Sequence, residues 1–169
     1  MKKKTSLMLA TWVYAPILGF ASIIASPATS PMSQLSAIAA QNFQQGQAFL
    51  TANNKKPGVI TLKDDLQYKI IQAGAGPKPT ANSTVTVDYE GKLLDGTIFD
   101  SSYQRGQSAT FSLSEVIPAW QEALPLMNTG ATWQLYVPAN LAYGLQGVPG
   151  TIGPNEVLQF KVHLISIDN

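Results

Sequence analysis

Polar and apolar positions alternate in short runs along the C-terminal two-thirds of the chain, and follow a longer period before it. Val85, Val87 and Tyr89 alternate with Thr84, Thr86, Asp88 and Glu90, and Leu158, Phe160, Val162 and Leu164 alternate with Gln159, Lys161 and His163. Trp133, Leu135 and Val137 form a similar run, and Thr110 to Leu113 a shorter one. A period of two marks strands with one face buried. Val59 to Leu62 and Leu66 to Ala73 read as two strands around a turn at Lys63 to Asp65. Ile98-Phe99-Asp100 re-enters the sheet after the turn signal Asp95-Gly96.

One stretch breaks this rhythm and organises the rest. Val116-Ile117-Pro118-Ala119-Trp120 follows an alternating segment and precedes a short helical one, Gln121 to Met127. Pro118 suits the first helical position, where its missing N–H costs nothing and its φ is already helical. Trp120 then lies in the first turn, facing the sheet. Strands around so short an apolar helix predict an α+β domain, a curled antiparallel β-sheet of about five strands wrapped around one short α-helix, over about Val59 to Asn169. The helix is expected to floor a pocket.

Ahead of this domain, Ser33 to Asn53 carries Leu35, Ile38, Ala39, Phe43, Phe49 and Leu50 near a 3.6 period, interrupted at Gly46. This predicts an N-terminal amphipathic helix capped by Ser33, ended by Lys55-Lys56-Pro57-Gly58 and preceded by a short linker from Thr29. An isolated helix of this length is marginal in water, so its stripe must pack on its own domain, on a second copy or on a client.

With 169 residues, 45% of them hydrophobic and 12% charged, the chain can bury one core, which fits one domain plus an extension. The formal charge of +1 depends on Lys2, Lys3 and Lys4; from Thr29 onward eight basic residues face ten acidic ones, a net of −2. No nucleic-acid surface is indicated. Those three lysines, the apolar run Leu7 to Ala25 and the small residues Ser26-Pro27-Ala28 predict a signal peptide over residues 1–28 and a periplasmic or exported protein. An uncleaved anchor is the competing reading, and membrane attachment is expected only in that case.

The candidate chemistry is sparse. No cysteine is present, which excludes disulfides and thiolate chemistry, and the one histidine, His163, falls on the polar side of the last strand. Neither a serine triad nor a clustered metal site has its parts. No metal or cofactor is expected. Asp100 stands out, a carboxylate beside Phe99 at a strand end, although it could equally cap the next turn. A set of aromatics with few polar groups suits a binding pocket better than an acid–base site.

Val85-Thr86-Val87-Asp88-Tyr89-Glu90-Gly91, Asp95-Gly96-Thr97-Ile98-Phe99-Asp100-Ser101-Ser102, Val116-Ile117-Pro118-Ala119-Trp120 and Leu141-Ala142-Tyr143-Gly144 resemble successive motifs of the FKBP-type peptidyl-prolyl cis-trans isomerases. Ile152-Gly153-Pro154-Asn155-Glu156, with Leu158 and Phe160, is similar to that family's closing segment. Ala48 to Val59 resembles the lead-in of the exported macrophage-infectivity-potentiator subgroup. The resemblance covers residues 59–168 in unbroken order.

It implies rotation of Xaa-Pro bonds in exported proteins, with Tyr143, Asp100 and Trp120 as catalytic residues. Tyr89, Phe99, Phe111, Val116, Ile117, Ile152 and Phe160 would bind substrate, and macrolides such as rapamycin and tacrolimus would inhibit. Ala109, Val148 and Thr151 depart from common family residues, where substrate preference is set. Residues 29–58 are too few for the subgroup's longer dimerising helical domain, so a monomer is expected. A peptide-binding chaperone or surface interaction module with little isomerase activity is the alternative.

Overall fold

The computed structural model describes residues 30–168; the predicted signal peptide lies outside them. Helix α1 spans Pro31–Asn53 and starts earlier than the sequence suggests. Its cap is Ser30, not Ser33: the Ser30 side chain accepts from the Ser33 N–H at 3.2 Å. Pro31 follows immediately, where a proline loses no helical bond. The helix runs straight through Gly46, because the bare glycine is what lets it touch the domain. A Cβ there would stand 2.5 Å from Cγ2 of Val157.

Only part of the predicted stripe is covered. Gly46, Leu50 and Asn53 are buried, and the Phe49 ring tilts against Tyr136 at 5.8 Å. Leu35, Ile38 and Phe43 remain about half exposed. The C-terminal half is anchored by a buried amide pair. Gln67 Nε2 donates to the Leu50 carbonyl and Asn53 Nδ2 to Gln67 Oε1, each at 2.9 Å.

Among the described residues seven strands form one antiparallel sheet, more than the five expected, because short edge segments pair as well. They are β1 (Val59–Thr61), β2 (Gln67–Gln72), β3 (Thr84–Lys92), β4 (Ile98–Ser101), β5 (Ala109–Ser112), β6 (Thr132–Val137) and β7 (Leu158–Asp168). Their order is β1-β2-β6-β7-β3-β4, with β5 also on β3. Thus β4 and β5 share one edge of β3, at its C-terminal and N-terminal halves. Register shifts in the β2–β6, β3–β4 and β3–β7 pairs mark bulges, which bend strands and increase twist.

Helix α2 (Ser102–Arg105) follows β4 directly, and α3 (Pro118–Ala123) begins at the expected proline and passes into a 3-10 turn, Leu124–Leu126. Ala119, Trp120 and Ala123 share one core with Val85, Val87, Leu135, Leu158, Val162 and Leu164 from the sheet. That core holds α3 as the base of a cavity.

Candidate functional site

The cavity above α3 is lined by Tyr89, Phe99, Asp100, Phe111, Glu115, Val116, Ile117, Trp120, Tyr143 and Phe160, with a volume of about 310 Å³. Each wall has a local origin. Trp120 is in the first turn of α3, where its N–H bonds the Ile117 carbonyl at 2.9 Å, and it is 4% exposed. Tyr89 and Phe160 project from the central strands β3 and β7. Phe111 comes from β5, opposite Val85.

Phe99 reaches the cavity over Gly91. Any Cβ at that position would meet the Phe99 ring at 2.5 Å and the Phe160 ring at 3.0 Å. The glycine therefore makes room for two walls. Around the indole the rings meet edge to face, Trp120 lying 5.3 Å from Tyr89, 5.7 Å from Phe111 and 5.5 Å from Phe160, while Phe99 meets Phe160 at 5.6 Å. Such pairs contribute about 0.5–1.5 kcal/mol each beyond area burial, and interlocked they resist collapse. The indole Nε1 is buried without an acceptor, so the floor keeps one unused donor.

The polar edge is organised by Asp100. Its carboxylate accepts from the Tyr89 hydroxyl and pairs with the Arg105 guanidinium; Arg105 also donates to the Tyr89 oxygen at 3.0 Å and lies 5.5 Å over its ring. Burial pushes the Asp100 carboxyl up, but the hydrogen bonds from Tyr89 and Arg105 and the Arg105 charge outweigh it and leave the carboxyl below the usual range. It is therefore ionised at neutral pH. Burial and the bond to Asp100 raise the Tyr89 hydroxyl. Tyr143, 39% exposed, is raised by burial and by the Asp100 charge, so it stays a neutral donor.

The turn after Asp100 is capped by Ser101, whose side chain accepts from the Gln104 N–H, leaving Asp100 free for the cavity. Buried Ser102 accepts from the Tyr89 N–H at 2.9 Å, tying the β3–β4 corner together.

Of the ten candidate residues, nine converge on this cavity. Ile152 does not line it: its backbone bridges to Val148, and its side chain, 6% exposed, belongs to the core. Two contributors escaped the sequence reading. Arg105 lies one short helix beyond Asp100, a spacing that could have suggested the pair. Glu115 gives no sequence signal. His163 shares a hydrogen bond with Thr132, away from the cavity lining. Among the described residues no cluster of potential metal ligands occurs, and no helix is long and apolar enough to cross a membrane.

A family model described as FKBP-type peptidyl-prolyl cis-trans isomerase matches residues 76–165, and one for the domain amino terminal to it matches residues 21–70. The chain is 63% identical over 126 residues to peptidyl-prolyl cis-trans isomerase Mip of Coxiella burnetii, covering 75% of this chain and 55% of that protein. It is 57% identical over 129 residues to outer membrane protein MIP of Legionella longbeachae, covering 76% and 55%. The chain thus spans about half the length of these curated relatives. The crystal structure of FkpA from Escherichia coli superposes with a TM-score of 0.78 at 39% identity, over 81% of this chain and 64% of that one.

Proposed function

We propose a function from one premise: the chain belongs to the FKBP-type peptidyl-prolyl cis-trans isomerases. In this reading it accelerates rotation about Xaa-Pro bonds of polypeptides. The observation that carries it is the aromatic cavity floored by Trp120, with Asp100 and Tyr143 at its edge.

The planar amide is held by resonance, and its rotation faces a barrier of about 18–20 kcal/mol. No bond breaks, so no nucleophile is needed. Twisting reduces the polarisation of the amide, so a water-poor apolar wall favours the twisted form over the planar one. Trp120 supports the prolyl ring, with Tyr89, Phe99, Phe111 and Phe160 around it and Val116 and Ile117 along the rim. Tyr143 donates its O–H to a substrate carbonyl. Asp100, held ionised by Arg105 and Tyr89, sets the field beside the rotating bond.

The test is cis/trans exchange on short Xaa-Pro peptides, with and without rapamycin. Fast exchange that the macrolide blocks is expected; no exchange from a folded sample would overturn the reading. Residues 1–28 act as a cleaved signal that delivers residues 29–169 to the periplasm or beyond, consistent with the outer-membrane name of the Legionella longbeachae relative. The mass of the secreted protein checks the cleavage. The chain acts as a monomer, its α1 folded back on its own domain; a stable dimer at micromolar concentration in sedimentation would contradict this. A second reading, polypeptide holding, is favoured by the exposed Met32, Leu35, Ile38 and Phe43 of α1. Suppression of client aggregation by a Trp120→Ala variant without isomerase activity would support it.

A further inference from the structure

Tyr143 sits on the twenty-residue connection between β6, ending at Val137, and β7, starting at Leu158. Its regular structure is limited to a 3-10 turn, Ala139–Leu141, and the bridge between Val148 and Ile152, so other fastenings must hold the Tyr143 side chain in place. Within the connection, Gly144 N–H bonds the Ala139 carbonyl at 2.8 Å, Gly147 N–H bonds the Tyr143 carbonyl at 3.1 Å, and Asn155 N–H bonds the Gly144 carbonyl at 2.8 Å. Asn155 therefore clips the residue that follows Tyr143. It does so at φ +57°, a left-handed conformation that asparagine tolerates better than most residues.

The same Asn155 faces α1. Its Nδ2 donates to the Ala39 carbonyl at 3.2 Å, across 116 positions of sequence. About one turn further along α1, Asn42 Nδ2 donates to the Pro154 carbonyl at 2.8 Å. Gly153 leaves the room for it, since a Cβ there would stand 3.1 Å from the Asn42 amide. One more turn along, Gly46 lies against Val157. Positions 39, 42 and 46 share one helix face by the i, i+3, i+7 rule, and this face meets residues 153–157.

We infer that Asn42 and Asn155 are positioning residues for the isomerase site: they latch the segment carrying Tyr143 onto α1, which is itself anchored to β2 through Gln67. The inference rests on the isomerase reading for its kinetic consequence only. Tyr143 is 39% exposed, so packing of its own ring holds it weakly and the backbone behind it sets where its hydroxyl stands. Loosening that backbone spreads the hydroxyl over positions of which few meet the substrate carbonyl.

The test uses the full chain with Asn42→Ala, Asn42→Asp and Asn155→Gly; the glycine keeps the positive φ and removes only the side-chain amide. Amide hydrogen exchange reads the latch without catalysis. Protection at Gly144 and Asn155 is expected to fall severalfold, with β7 amides unchanged. kcat/KM on Xaa-Pro peptides is expected to fall about two- to fivefold, no more than removal of the Tyr143 hydroxyl itself costs. Asn42→Asp, similar in shape but without the amide hydrogens, is expected to behave like Asn42→Ala. In a Tyr143→Phe background, Asn42→Ala is expected to cost nothing further, because the group it positions is already gone. Unchanged protection at Gly144 and Asn155, full activity of Asn42→Asp, or an undiminished loss in the Tyr143→Phe background would each overturn the latch. An inactive wild-type protein would instead sink the isomerase reading, and the exchange data would still decide the latch.

Discussion

Two cavities of similar size, about 310 and 350 Å³, meet the segment around Tyr143; both are mainly apolar, but one is built from aromatic rings and the other from aliphatic and amide side chains. The first is walled by Tyr89, Phe99, Phe111, Trp120, Tyr143 and Phe160, with the carboxylates Asp100 and Glu115 among its lining. The second, beneath α1, has Phe43 as its single aromatic, with the aliphatic Pro138, Leu145 and Val157 and the amides of Gln47, Asn140 and Asn155. Volume does not distinguish them. Flat rings locked edge to face offer a ligand rigid surfaces that lose little entropy on binding, whereas the second groove is crossed by the protein's own hydrogen bonds from Asn155 to Ala39 and Gly144. In the proposed isomerase reading the first cavity receives the prolyl ring, while the hydrogen bonds beside the second fasten α1 to residues 153–157.

The comparison is broken most severely at Trp120. Trp120→Ala is expected to lower kcat/KM about a hundredfold through lost positioning, and stability by about 3–5 kcal/mol. Trp120→Phe, which keeps a ring on the floor, should retain the fold in urea titration and lose less activity. If Trp120→Ala folds and turns over peptides normally, the aromatic floor has no catalytic part.

Asp100→Ala is expected to reduce kcat/KM about tenfold, since Tyr89 and Arg105 lose their shared acceptor. Its cost in stability should be at most about 1 kcal/mol, because the Asp100–Arg105 pair is partly exposed. The folded Asp100 carboxyl titrates below its ordinary value, so it stabilises the protein above the usual carboxylate range, and that contribution disappears as pH falls through the folded value. Denaturation of the two proteins should therefore converge in strong acid. A gap that persists there would assign the effect to packing.

Tyr143→Phe is expected to cost about fivefold in kcat/KM, one hydrogen bond to the substrate, with an unchanged melting temperature. Equal turnover of the two proteins would remove Tyr143 from the mechanism.

A smaller effect lies behind the floor. The hydrogen bond that Glu122 of α3 shares with Asp64, with burial and the Asp64 charge adding to it, raises the Glu122 carboxyl to about 7. A raised folded value means that its stabilisation is complete below the ordinary carboxylate range and is lost as pH rises toward 7. Glu122→Gln, which cannot ionise, should raise stability at pH 8 by about 1 kcal/mol or less and flatten this slope. Unaltered pH dependence in thermal melts would refute the pairing. Smallest of all is Phe43→Ala in the second groove, expected to change peptide turnover by less than about twofold, as exposed substitutions do. A large loss would erase the distinction between the two cavities.

Much of this was legible in the residues. The period-two runs located β3, β6 and β7, because a strand with one buried face must alternate. Pro118 located the start of α3, because its ring admits few other placements. The six aromatics were legible through their motifs, and nine of the ten candidate site residues share the cavity. Ile152, which bridges to Val148 through its backbone, is the one candidate that the structure sets outside the cavity lining. Arg105 was overlooked, because its pairing with Asp100 depends on a four-residue helix and the turn at Gly106 that follow β4.

What the sequence by itself determined, then, is the alternation of the strands, the helix start at Pro118 and the chemical kinds available to the site. Each follows from steric and hydrophobic rules acting over a few neighbouring residues. Only the tertiary structure decided that Gly46 is a contact and not an interruption, and that half of the stripe on α1 stays uncovered. It also decided that Asn42 reaches Pro154 across 112 positions to fasten the Tyr143 segment. These outcomes depend on which distant surfaces meet, and a short-range pattern carries no information about that.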